Sequence, residues 1–236
     1  MVTAITEKKP ETYRDEKRTA RIAGILFIVA TAASLLGSSF LGSVNASNYL
    51  TLLSANSGSV STGILFLLIG AFSSASIAIS LYPVLRRYSQ GLALGAVGFR
   101  LIEGALYIIG AIFVVLLLNV SRQFVTAGGS SLSQSLGATL LVGYNWVNFA
   151  AAPLVFALGA SMYYLIFYRT KLVPRWLSGW GLAGTMLCIS SSLLVMFNLL
   201  GAFSTPQIVL NLPIAVQEMA LAVWLIVKGL RISTTN

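Results

Sequence analysis

Uninterrupted apolar runs of about twenty residues or more constrain what this chain can fold into. At about 1.5 Å per helical residue, each is long enough to cross a hydrocarbon layer about 30 Å thick. Inside such a layer backbone N–H and C=O groups find no water, so they must be satisfied within the protein, and runs of this length read as helices. Six are read, at 20–42, 59–84, 91–119, 138–167, 176–200 and 208–230. The expected fold is all-α, a polytopic transmembrane bundle over 20–230, flanked by a polar tail at 1–19 and a short tail at 231–236. The third and fourth runs exceed what an upright helix needs, so they are expected to tilt, kink or protrude, with Pro153 as the kink in the fourth. Pro174 stands where a helix starts.

The balance of residue types agrees, with 57% hydrophobic residues, 9% charged and a mean hydropathy of +0.87, against about 25% charged in an average soluble domain. In a soluble protein a net charge of +9 would point to nucleic acid. Here the cations gather at span ends, where they orient the chain and favour anionic headgroups. With the N-terminus inside, the cytoplasmic segments hold Lys8, Lys9, Arg14, Lys17, Arg18 and Arg21, then Arg86 and Arg87, then Arg169, Lys171 and Arg175, then Lys228 and Arg231. Of the remaining two, Arg122 falls in an outer loop and Arg100 inside the third span. Both termini are therefore expected in the cytoplasm. Tyr82, Tyr88, Tyr163, Tyr164, Tyr168, Trp176 and Trp180 fall near the same interface, where amphipathic rings settle. Residues 1–19 read as a tail before an uncleaved span, since the apolar run after Arg21 is too long for a signal peptide. Membrane lipids are the expected partners, with other membrane subunits or a second copy beside them, and nucleic acid is not expected.

Residue types that are missing narrow the chemistry. There is no histidine and one cysteine, Cys188, so an intramolecular disulfide is impossible. The usual ligands of zinc, copper and haem are lacking, as is the commonest general base. No catalytic residue, metal or cofactor is assigned. Asn45-Ala46-Ser47 and Asn119-Val120-Ser121 match the glycosylation sequon, a pattern short enough to arise by chance. Gly91, Gly95 and Gly98 have neither the preceding strand nor the lysine of a nucleotide loop. Glu-x-Ala-Leu occurs at Glu103 and Glu218, but the basic turns before Gly95 and Gly184 align in another register, which points to composition rather than duplication.

Of the six acidic residues, only Glu103 and Glu218 lie inside spans. An ionisable side chain at the bilayer centre costs about 2.5–3.5 kcal/mol on insertion scales, so each should face the bundle interior and have a partner. Arg100, one helical turn before Glu103, is placed to pair with it. Arg100 and Glu218 lie at similar depth, about 15 Å from the cytoplasmic ends, so the guanidinium is expected to bridge both carboxylates. Tyr107, Tyr144, Asn145, Asn148, Asn211 and Gln217 are the candidates to line a cavity around this cluster. Ser73, Ser74, Gly179 and Gly184 read as close-packing residues.

The runs Tyr82-Pro83-Val84-Leu85-Arg86-Arg87, Arg100-Leu101-Ile102-Glu103, Pro174-Arg175-Trp176-Leu177 and Gln217 through Gly229 together resemble a prokaryotic membrane family catalogued as domain of unknown function 4386. The resemblance extends from the Arg-Thr-Ala-Arg-Ile-Ala-Gly entry at 18–24 to Gly229. It implies a multi-span helical protein of a bacterial or archaeal plasma membrane and no activity. Three functional readings follow from the residues. The first is a bundle whose buried polar site binds or moves a small solute or proton. The second is an accessory subunit in which the charges only pin spans three and six together. The third is an intramembrane enzyme on a lipid-like substrate, with a glutamate as acid or base.

Overall fold

The computed structural model describes residues 9–42, 44 and 46–231, with side chains from Glu16 onward. Every regular element in this range is helical: α1 (Lys9–Leu41), α2 (Tyr49–Ala55), α3 (Ser57–Leu85), α4 (Gln90–Thr126), α5 (Ser131–Trp146), α6 (Ala152–Thr170), α7 (Arg175–Met196) and α8 (Thr205–Val227). A π-helical turn over Val147–Ala151 joins α5 to α6. Six stretches are long and apolar enough to cross a membrane: Glu16–Leu41, Ser57–Leu85, Gln90–Thr126, Ser131–Thr170, Arg175–Met196 and Thr205–Val227.

The spans form a ring in chain order. α1 packs on α3, α3 on α4, α4 on α6, α6 on α7 and α7 on α8, and α8 returns to α1. At one end of this ring Glu16 of α1 pairs with Arg87 in the α3–α4 turn, and the Arg231 N–H donates to the Leu172 carbonyl between α6 and α7 at 2.7 Å. Guanidinium groups lie over rings at the same end, Arg86 on Tyr82, Arg175 on Tyr168 and Arg231 on Trp224, at 5.8, 5.6 and 5.1 Å. Tyr163 and Tyr164 do not join this belt. Both are 0% exposed, because their face of α6 points into the ring, where their hydroxyls find polar partners on α8.

Several sequence expectations about span ends need correction. α4 continues to Thr126, which places Arg122 on a helix rather than in a loop and Asn119, expected as the last residue of the third span, well inside it. Thirty-seven residues make a helix about 55 Å long, so its end protrudes past the hydrocarbon and its polar residues are solvated there. The fourth span begins at Ser131 rather than 138, α7 ends at Met196, and the loop expected at 43–58 contains α2. Asn45 and the tail beyond Arg231 lie outside the described residues. Pro153 follows the π turn: a proline has no N–H to donate and its ring crowds the carbonyl four residues back, and the wider turn accommodates both. Pro174 caps the start of α7 as expected.

Glycine sets how closely the ring closes. A Cβ on Gly24 of α1 would lie 2.7 Å from both the Ala222 carbonyl and Ile226 Cγ1 of α8. Leucine at this position would therefore force the two helices apart, and overpacking of this kind costs about 1–3 kcal/mol. Gly24→Leu is expected to lower the melting temperature in detergent. Gly58→Leu, at a position with open space around it, is expected to leave it within error, and equal melting for the two variants would remove the close approach of α1 and α8.

Candidate functional site: a charged cavity inside the ring

A cavity of about 350 Å³ lies within the ring, walled by α1, α3, α4, the α5–α6 junction, α7 and α8. Its lining runs on α1 from Phe27 to Ser38, on α3 from Ile77 back to Leu67, and on α8 from Glu218 back to Gln207. It therefore extends from mid-bundle toward the end opposite the basic one. Below it, Leu81, Leu85, Tyr163, Tyr164, Phe167 and Leu177 belong to the larger apolar core. Gln217 ties this floor together: its Oε1 accepts from the Tyr164 hydroxyl at 2.5 Å and its Nε2 donates to the Leu177 carbonyl at 3.0 Å.

Arg100, Glu103 and Glu218 all reach the cavity, but they are not equivalent. Arg100 and Glu103 are 1% and 2% exposed. Arg100 Nη1 lies 3.0 Å from Glu103 Oε2, yet its N–H points off that line, so the contact is an ion pair without a hydrogen bond. The other carboxylate oxygen accepts from the Ser74 hydroxyl of α3 at 2.9 Å. The guanidinium stacks over Phe156, 4.8 Å from its ring centroid, and its Nε has no hydrogen-bond acceptor. The pair is internal to α4, so the charge contact itself ties no second helix. Ser74 carries the link to a neighbour, and the sequence had offered it only as a small packing residue.

Glu218 differs in its surroundings. It is partly open to the cavity, and its hydrogen bond is a long one of 3.5 Å from the Tyr163 hydroxyl. Among the described residues no cation lies within ion-pair distance of it, so the expected Arg100 bridge between the two carboxylates is not formed. The i,i+3 geometry holds Arg100 on its own helix, whereas reaching Glu218 requires crossing the cavity. The titratable groups around Glu218 are Arg100, Glu103 and Tyr107 of α4, Tyr163 and Tyr164 of α6, and Cys188 of α7.

Four of the six expected lining residues are in place: Tyr107, Tyr144, Asn148 and Asn211. The Asn148 amide donates to the Tyr144 carbonyl at 2.9 Å. The Asn211 amide donates to Ser191 Oγ and the Gln207 carbonyl at 2.9 and 2.8 Å. In both, the side-chain carbonyl oxygen remains as an acceptor. Asn145 and Gln217 lie outside the cavity, the latter because the floor uses both ends of its amide. Phe27, Phe149, Phe156 and Gln207 complete the polar and aromatic wall. No local signal in the sequence marked these four, because their convergence depends on the order of helices around the ring. Among the described residues no group of His, Cys, Asp or Glu has the arrangement of a metal site.

A family model described as "Domain of unknown function (DUF4386)" matches residues 22–229. The chain belongs to this family. Neither the curated proteins nor the solved structures include a match. The match to this DUF4386 protein takes in all six spans and every residue of the cavity, while the family's description supplies no chemistry for them.

Removing Arg100 leaves Glu103 buried without its cation, which costs about 3–5 kcal/mol for a pair of this kind. Arg100→Met is therefore expected to be strongly destabilised, and Arg100→Met/Glu103→Gln to recover most of the loss. Glu218→Gln is expected to cost less than about 1.5 kcal/mol and not to rescue Arg100→Met. A double-mutant cycle on thermal stability in nanodiscs measures all three, and strong 100–218 coupling would overturn the assignment of Arg100 to Glu103 alone.

Proposed function

We propose that this DUF4386 protein binds a small solute at the charged end of the cavity and moves it, or a proton coupled to it, across the plasma membrane of a prokaryote. The observation that carries this reading is Glu218, a carboxylate inside the ring, open to a 350 Å³ cavity and without an ion-pair partner among the described residues. A buried ionisable group of this kind is retained at a real energetic cost. The accessory-subunit reading needs the charges to pin α4 to α8, and the ion pair inside α4 gives it no support. An enzyme acting on a lipid-like substrate would need a nucleophile or base beside a partner that activates it. The Ser74 hydroxyl does donate to a cavity carboxylate, but that carboxylate is Glu103, whose charge is held by Arg100 rather than free to act as a base.

The positive-inside rule supports placing the basic end in the cytoplasm, which makes the cavity face outward. On this topology a fluorescent protein fused after Arg231 is expected to fluoresce, and alkaline phosphatase fused after Gly129 to be active. The reverse pattern would invert the direction of access.

The transport reading is tested in proteoliposomes containing the pH indicator pyranine, challenged with a panel of small amines, carboxylates, sugars and amphiphiles. At least one compound is expected to give a protein-dependent flux that Glu218→Gln abolishes. If no compound moves, and the protein instead leaves mild detergent with a stoichiometric membrane partner, the accessory-subunit reading replaces this one.

A further inference from the structure

The wall of the cavity is not equally tight all round. On α1, the stripe that meets α8 is buried at Ala20, Ala23, Gly24 and Phe27. Two and three turns after Phe27, Leu35 and Ser38 are exposed while also lining the cavity, and Ser34 beside them, exposed and lining it too, lies against Gly70 of α3. The adjoining stripe of α1, at Ala33, Gly37 and Leu41, stays buried to the helix end, and Gly37 sits against Gly63 and Leu67 of α3. So α1 keeps α3 along its length and loses α8 above Phe27. The matching change occurs on α8. Leu221, Ala222 and Leu225 are buried, whereas Ile208 and Ala215 are exposed, although Gln207 and Ile214 on the α7 side remain buried. The two helices approach closely in the basic half, and beyond it Leu35 and Ser38 of α1 and Ala215 of α8 are exposed while lining the cavity, which marks this junction as a side opening.

Resting on the solute-binding reading above, we propose that the natural ligand is an amphipathic organic cation, such as a lipophilic amine or quaternary ammonium, that enters from the bilayer through the gap between α1 and α8. Charge selects its sign: Arg100 forms its ion pair with Glu103 on its own helix, so the cavity carboxylate left without an ion-pair partner among the described residues is Glu218. The walls suit the rest of the molecule. Tyr107, Tyr144 and Phe149 offer ring faces, to which organic cations are drawn by the ring quadrupole. The volume is at the lower end of the about 300–1,000 Å³ of pockets that enclose drug-sized ligands. The rim residues Ser34, Leu35, Ser38 and Ala215 carry no charge, so a molecule with an apolar body crosses the gap without shedding a strongly held water shell, which a small hydrophilic ion would have to do.

Tetraphenylphosphonium and tetraphenylborate, of nearly the same shape and opposite charge, separate these claims. Equilibrium uptake of radiolabelled tetraphenylphosphonium by protein in nanodiscs, corrected for empty nanodiscs, is expected to saturate. Unlabelled tetraphenylborate is expected not to compete, and Glu218→Gln, folded by its melting curve, to weaken binding by about tenfold or more. Ala215→Trp, which places a bulky ring in the gap, is expected to slow association and dissociation by about tenfold each, with equilibrium uptake near that of the wild type. An association rate that is unchanged in Ala215→Trp, with choline competing as well as lipophilic cations, would overturn the lipid-side entrance. Absence of tetraphenylphosphonium uptake, or uptake of tetraphenylborate that Arg100→Met abolishes, would overturn the cationic class. Neither result removes the solute-binding reading, which falls only if the flux screen also finds no difference between wild type and Glu218→Gln.

Discussion

Closure of α1 on α8 is the contact on which the rest of the architecture depends. Five of the six junctions in the ring join helices consecutive along the chain, held close by their connections. The sixth joins the first span to the last, which no short connection holds together. In lipid there is little hydrophobic drive to bring helices together, so close approach of small residues has to supply the attraction. Gly24 against Ala222 and Ile226 provides that approach in the basic half. Beyond Phe27 the same side of α1 carries Leu35 and Ser38, which are exposed and line the cavity. The same junction therefore both closes the ring and leaves its cavity reachable.

Compensation of charge explains the arrangement inside. A guanidinium and a carboxylate one turn apart on a single helix form a unit that is neutral before the helices assemble, which lowers the cost of placing either in the membrane. The pair then needs only a hydroxyl from Ser74 and a ring from Phe156 to settle against its neighbours. Glu218 arrives on another helix with no such unit of its own. Its one hydrogen bond among the described residues, from Tyr163, is long, and it is partly open to the cavity. A group kept in that condition is matched when something binds, either a proton or a cation, and this separates it from a charge that serves packing.

What could be read along the chain and what could not divides by range. The six spans, their all-helical character, the irregularity near Pro153 and the i,i+3 pairing of Arg100 with Glu103 are properties of neighbouring residues, and all were legible. Helix ends were less so, because α4 runs on past its apolar run through Ser121-Arg122-Gln123, residues that are neutral toward helix once they leave the hydrocarbon. Tyr163 and Tyr164 look like interface aromatics in the sequence, and only the packing of α6 against α7 and α8 reveals that Tyr164 completes the Gln217 network. The failure of Arg100 to reach Glu218 belongs to the same class. Equal depth in the membrane says nothing about which faces of two helices meet across a cavity.

The two halves of the ring differ in how much must break for it to open. Passage toward the basic end would require parting the Tyr164–Gln217 and Gln217–Leu177 hydrogen bonds, separating Glu16 from Arg87 and releasing Arg231 from Leu172. These contacts tie α1 to the α3–α4 turn, and α8 and the residues after it to α6, α7 and the loop between them. Entry from the opposite half breaks none of them. For the proposed solute binding, the conformation is one whose cavity is reached above a hydrogen-bonded floor. Binding energy gained at Glu218 lies directly beside the Gln217 network, one residue away on the same helix, and a rotation of α8 that improved the carboxylate's contact with a ligand would also strain both hydrogen bonds of its neighbour. Coupling between occupancy and opening then needs no relay through the protein, because both groups ride on the same turn of α8.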